Sequence, residues 1–167
     1  MNEKEGRLFP LELIEKRLRR FLAVRERASS EVKHYLQRKE FCRKSELEDV
    51  IAHLKQKGIL NDGTFAHRRY EYRLQRGYGP FYIRNELRRL EIDEEIIQEV
   101  LSTENGDERF IEAALELISR RLPAILHHEN ASEKLRKKLY SRGYSFFQIR
   151  QAMENLREKY PHWGFRK

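Results

Sequence analysis

A chain of 167 residues, 37% of them charged and with mean hydropathy −0.87, has ample water-facing surface; its length suits one ordinary core or three small units burying their faces against one another. The formal net charge is +8, and Cys42 is the lone cysteine, which excludes a disulfide framework and a thiolate metal site and fits a reducing compartment. There is no apolar stretch long enough to span a membrane and no signal peptide, so a cytoplasmic protein is expected; four prolines, eight glycines and no alternating β-branched runs favour helices over strands.

Residues 1–11 read as a loose polar segment. Leu13, Ile14, Leu18, Phe21 and Leu22 then recur at helical spacing, and the opposite face carries Lys16, Arg17, Arg19, Arg20, Arg25 and Arg27. Ser29 or Ser30 is the expected cap of a second helix with Val32 and Leu36 inward. A third helix buries Leu47, Val50, Ile51 and Leu54 and ends at Gly58. Asn61-Asp62 is a capping pair that opens a helix running from Phe65 to Leu74. That helix stops at Gly77, a residue able to take the left-handed closing conformation, and Pro80 stands in the next first turn, where a missing N–H is tolerated. Ile83 and Leu87 anchor the new helix and put Arg84 and Arg88 on one face, with Tyr82 and Arg89 close by. Asp93-Glu94-Glu95 places acid at the positive end of the following helix. A further helix begins near Gly106-Asp107, runs through Phe110, Ala114, Leu117 and Ile118, and meets Pro123; a longer connection with His127-His128 as loop residues follows. The terminal aromatics Tyr160, Trp163 and Phe165 are candidates to fold back on this last part.

The pattern repeats. Val32, Leu36 and Phe41 correspond to Ile83, Leu87 and Ile92 at a shift of 51 residues, and these to Leu135, Leu139 and Tyr144 at a shift of 52. A turn-former precedes each copy: Ser29, Pro80 and Ser132. The expected fold is therefore all-α, three tandem three-helix repeats at 12–60, 61–105 and 106–160, with a tail at 161–167.

Charge comes in blocks. Residues 7–44 hold twelve Lys/Arg against five Asp/Glu, a net +7; residues 63–92 hold seven against three, a net +4. Residues 93–116 hold one arginine against nine acids, a net −8, and residues 117–167 twelve against four, a net +8. Separate basic and acidic faces suit a partner that carries both signs, such as a nucleoprotein. Catalysis finds no support: there is no nucleophile elbow, HExxH, CxxC or glycine-rich phosphate loop, and Gly77-x-Gly79 lacks the third glycine and the preceding strand. No enzyme, cofactor or metal is expected.

Lys57-Gly58-Ile59-Leu60-Asn61-Asp62 with Phe65-Ala66, then Arg76-Gly77-Tyr78-Gly79-Pro80 with Ile83, Glu86 and Leu87, then Arg142-Gly143-Tyr144, resemble the RecX family of RecA-regulating proteins over nearly the whole chain, from about Leu13 to Tyr160. The resemblance implies an elongated, curved array of three three-helix repeats and a modulator, chiefly an inhibitor, of the RecA recombinase in DNA recombination and repair. Such a protein would lie in the groove of the RecA–DNA filament, bridging protomers and hindering filament growth, ATP hydrolysis and strand exchange. The expected partners are the RecA filament and, more weakly or through it, single- or double-stranded DNA; no membrane is involved and a monomer is expected. On this reading the contact residues are Arg68, Arg69, Arg73, Arg76, Arg84, Arg88 and Arg89, with Tyr78 (and Tyr72 and Tyr82) adding stacking or interface area. Lys134, Arg136, Lys137 and Lys138 form a second basic contact, and the acidic helix at 93–104 opposes basic RecA surface.

Two departures from the family pattern stand out. Glu40 and Glu91 occupy places where the family often has a glycine turn, so those turns must close with a non-glycine residue in the left-handed region. Gly63-Thr64 replaces the more usual acidic pair before Phe65. The alternatives are a stand-alone DNA- or RNA-binding helical protein with helix-turn-helix-like units, and a scaffold for an unrelated partner.

Overall fold

The computed structural model describes residues 9–102, 106–125, 128 and 130–161, and every regular element among them is helical. In chain order these are α1 (Leu11–Val24), α2 (Ser29–Arg38), α3 (Leu47–Gln56), α4 (Asp62–Gln75), α5 (Pro80–Arg89), α6 (Glu94–Leu101), α7 (Gly106–Ile125), α8 (Ala131–Ser141) and α9 (Phe146–Lys159), with a 3-10 turn at Lys44–Glu46. The helices gather into two compact units, one running to Phe65 and taking in Leu90–Ile92, the other made of Ala66–Arg89 and the chain from Asp93 on.

In the first unit the apolar stripes of α1, α2 and α3 converge on one core: Ile14 and Leu18, Val32 and Leu36, then Leu47, Val50, Ile51 and Leu54, closed by Cys42 and Leu60. Phe9 also packs against this core, while residues 1–8 of the expected loose segment lie outside the described residues. The Cys42 thiol is buried, and burial pushes it above its ordinary pKa.

The start of α2 departs from the serine cap expected for it. Its N-cap is Ala28, whose N–H is accepted by Glu31, and the Ser29 hydroxyl caps nothing. The Ser29 N–H instead donates to the Asp62 carboxylate at 2.8 Å, and the Ser30 hydroxyl donates to the Leu90 carbonyl. A carboxylate brought from 33 residues away thus satisfies the orphan donor and faces the positive helix end. Asn61 acts as the expected cap of α4, its Oδ1 accepting from Thr64 N–H at 2.9 Å.

The left-handed turns fall at repeated positions. Glu40 (φ 52°), Glu91 (φ 56°) and Gly143 (φ 83°) are spaced by the same 51 and 52 residues as the apolar pattern. Each follows a helix that starts at Ser29, Pro80 or Ala131. At the first and third of these turns the residue after the left-handed one donates back five positions, Phe41 N–H to Leu36 and Tyr144 N–H to Leu139, which closes the helix end.

In the second unit α7 packs along α9, and α8 rests against both. Phe110, Ala114, Ile118 and Leu122 on α7 are buried, as are Ile149, Ala152, Met153 and Leu156 on α9. Ile83 and Leu87 are fully enclosed, and Tyr70 meets Phe110 edge to face at 5.8 Å. α7 does not stop at Pro123 but continues to Ile125, with the proline in its last turn, where the one i−4 bond it cannot make is the only one lost. His128 lies outside any helix; His127, Trp163, Phe165 and the acidic block's Glu104 lie outside the described residues.

Candidate partner interface

The second unit is organised around two helix joints that touch through their backbones. The first closes α4: Gly77 is left-handed at φ 70°, its N–H donates to Leu74, and Tyr78 N–H reaches back to Arg73. The second joins α8 to α9 through Arg142-Gly143-Tyr144. Between them, Gly79 N–H donates to the Arg142 carbonyl at 2.8 Å and Phe81 N–H to the Gly143 carbonyl at 3.0 Å. A methyl group on Gly79 would overlap the Gly143 carbonyl, and one on Gly143 would overlap Tyr82 N. The two glycines of the Gly-Tyr-Gly-Pro and Arg-Gly-Tyr motifs therefore allow backbone to meet backbone.

Around these joints arginines and tyrosines interleave. Tyr78 and Tyr82 lie with ring centroids 4.1 Å apart, and the Arg73 guanidinium sits 5.2 and 5.6 Å from them. Arg142 stacks over Tyr78 at 4.2 Å and donates from Nη1 to the Arg76 carbonyl at 3.2 Å; Arg76 stacks over Tyr72 at 4.4 Å.

The expected contact residues divide by whether a carboxylate already holds them. Arg73 makes a two-pronged bond to Glu86 (2.7 and 2.6 Å), and Arg69 approaches the same carboxylate at 3.1 Å. This bond is the main reason the Arg73 guanidinium holds its proton even more firmly than usual. Arg88 grips Glu94 at 2.8 and 2.9 Å, with Arg84 at 3.4 Å, and the Arg88 bond keeps the Glu94 carboxyl below its ordinary pKa. Lys137 pairs with Glu133 one turn away. Arg109, from the acidic block, binds Glu71 of the basic one at 2.8 and 2.9 Å. The two blocks therefore partly neutralise each other inside this unit.

Arg76, Arg89, Lys134, Arg136 and Lys138 have no carboxylate partner among the described residues; Arg89 bonds only the Asn85 carbonyl. Arg68 lies on the exposed side of α4 with an interaction of its own. Lys138 loses some of its affinity for a proton through desolvation and the nearby charges of Arg142 and Arg121. Arg142 is absent from the expected contacts because its neighbours in space are 66 residues away in sequence. No cluster of three or more His, Cys, Asp or Glu side chains placed to hold a metal ion occurs among the described residues, and none of their helices is long and apolar enough to cross a membrane.

Residues 61–101 match the family model described as RecX, second three-helix domain. The chain is 32% identical over 127 residues to the Regulatory protein RecX of Mannheimia succiniciproducens, covering 75% of this chain and 81% of the relative. It is 30% identical over 120 residues to the Regulatory protein RecX of Haemophilus influenzae, covering 71% and 76% respectively. Its fold is similar to the crystal structure of RecX from Lactobacillus salivarius, with a TM-score of 0.76 and 20% identity over 87% of this chain and 96% of that one. Matched at such identity across most of both sequences, this protein belongs to the RecX family, a family of regulatory proteins rather than enzymes.

Proposed function

We propose that this protein binds the RecA–DNA filament in the cytoplasm, as a monomer, and chiefly inhibits RecA's ATP hydrolysis, filament extension and strand exchange in recombination and repair. The observation that supports this most directly is the 32% identity to a regulatory protein RecX over 75% of the chain. In this reading repeats at 12–60, 61–105 and 106–160 present several weak patches to successive subunits, so affinity comes from their number rather than from one deep pocket. The match of a three-helix domain to 61–101 supports the middle repeat. The contacts are carried by the cations that no internal carboxylate neutralises, Arg76, Arg89, Lys134, Arg136 and Lys138, together with Arg68 and Tyr78. Arg69, Arg73, Arg84, Arg88 and Lys137 serve first to fix the helices that present them.

The test is ATP hydrolysis by RecA of the same organism on single-stranded DNA, titrated with this protein below stoichiometry and repeated with excess DNA. Inhibition that persists in excess DNA is expected. Inhibition abolished by added DNA would mean that the protein merely sequesters the strand.

A further inference from the structure

Exposed aromatic side chains scattered singly over a surface need no explanation, but in the second unit three of them border one groove. Its volume is about 500 Å³, and Phe81 and Tyr82 of α5, Tyr140 of α8, and Tyr144 and Phe146 beside the α8–α9 joint line it together with the Asn85 amide. Phe146 is 81% exposed, Tyr140 64% and Phe81 56%, and the rings of Tyr140 and Phe146 lie 5.8 Å apart. The walls are fixed before anything binds: Phe81 N–H donates to the Gly143 carbonyl, and the Ser145 hydroxyl accepts from Gln148 N–H at the start of α9. Tyr144 is buried and its hydroxyl has no hydrogen-bond partner among the described residues. Burial pushes its pKa upward, which keeps it an O–H donor in need of an acceptor.

None of the lining side chains is charged; charge stands one helical turn away, and it has one sign. Arg89 follows Asn85 by one turn on α5, Arg136 precedes Tyr140 by one turn on α8, and Arg150 follows Phe146 by one turn on α9, so each helix carries a cation on the face that it gives to the groove. All three are exposed and have no carboxylate partner among the described residues; Arg89 bonds the Asn85 carbonyl, and Arg150 lies 5.9 Å from the Phe147 ring. Glu86, the acid between Asn85 and Arg89, is already held by Arg73. A ligand that matches this layout is bulky and apolar where it enters and negative beside that point. A peptide supplies all of it: an apolar side chain for the rings, a backbone carbonyl for Tyr144, and carboxylates for the arginines.

We propose that this groove is a docking site for an acidic peptide segment of a protein partner, with a large apolar side chain of the segment among Phe81, Tyr140 and Phe146 and its carboxylates on Arg89, Arg136 and Arg150. Docking of this kind needs no DNA and no nucleotide, and it stands apart from the inhibition proposed above. Its test is fluorescence anisotropy of the full chain with the labelled peptide Asp-Glu-Glu-Leu-Phe-Glu-Asp-Asp and no RecA. Saturable binding that weakens as salt is raised is expected. The same peptide with Ala-Ala in place of Leu-Phe should bind at least about 10-fold more weakly, and so should one with lysines in place of its acids. Phe146→Ala, an exposed change that leaves the core intact, should weaken the original peptide by a similar factor, and Arg150→Gln should weaken it less while flattening the salt dependence. Thermal unfolding of each variant confirms that it is folded. No binding of the peptide, equal binding of the Ala-Ala or lysine peptide, or unchanged affinity in the two folded variants would overturn the site. Oligothymidylate displacing the label at lower concentration than the unlabelled peptide does would overturn it too, reassigning the groove to nucleic acid. Phe146 and Arg150 lie outside the contacts proposed for the filament and RecA is absent, so failure here leaves the ATP-hydrolysis test untouched.

Discussion

Glu40, Glu91 and Gly143 hold the same left-handed backbone, yet only one of the three is a glycine. The difference follows from what surrounds them. At 143 a Cβ would meet Tyr82, so glycine is required by space as well as by conformation, whereas the exposed side chain of Glu40 projects freely and its residue bears only the conformational cost. Glu40→Gly should therefore raise stability by about 1 kcal/mol, read as a higher urea midpoint with unchanged m-value. Gly79→Ala, which drives a methyl into the Gly143 carbonyl, should lower stability by about 2 kcal/mol or more. A destabilised Glu40→Gly would show that the left-handed turn carries no strain. The strained turns were legible in the sequence only through the family resemblance, which places Glu40 and Glu91 where a glycine turn is usual. The overlap at 79 and 143 was not, since it depends on two residues 64 apart meeting in space.

At the scale of the helix, the beginning of α2 depends on α4. Asp62, nearly buried, accepts from Ser29 N–H and pairs with Lys55 at 2.9 Å. Burial by itself would raise its pKa, but the Ser29 N–H and the Lys55 ammonium outweigh it and hold the carboxyl below its ordinary value. The folded state thus binds this proton less readily than the unfolded chain does. Its contribution is complete above the ordinary carboxylate pKa and is lost as pH falls through the lower, folded value. Asp62→Ala should cost about 2 kcal/mol at neutral pH, and urea titrations repeated towards pH 3 should show the gap to wild type narrowing. A gap that stays constant with acid would mean that the carboxylate's charge has no part in it. Most helices could be placed from the 3.6-residue apolar period and from Gly58, Gly77 and Pro80, because those signals act over a few residues. The serine cap of α2 and the stop at Pro123 failed for the same reason in reverse. A stronger acceptor arrives from 33 residues away in the first case, and in the second the last turn of α7 accommodates the ring.

For the molecule as a whole, the total of +8 says less than which cations remain uncompensated. Charge blocks were visible in the sequence, but the pairings across them, Arg88 with Glu94 and Arg109 with Glu71, join different helices and follow no spacing rule within one helix. A swapped triple variant, Arg84→Glu, Arg88→Glu and Glu94→Arg, keeps opposite charges facing each other and should leave inhibition of RecA intact. Lys134→Glu with Arg136→Glu should lose most of it while the protein stays folded, since both side chains are exposed. Equal loss in both variants would return Arg84 and Arg88 to the contact surface. The touching joints also bear on modularity. An array of identical repeats can be lengthened by copying a module or shortened by dropping one, because each presents the same ends. Here the α4–α5 joint is made to receive two carbonyls from the α8–α9 joint, so a chain cut after α7 would strand the N–H groups of Gly79 and Phe81 without their acceptors. Losing the last pair of helices would therefore cost this protein two internal acceptors, where an end module of a simple repeat array leaves without disturbing a joint further up the chain.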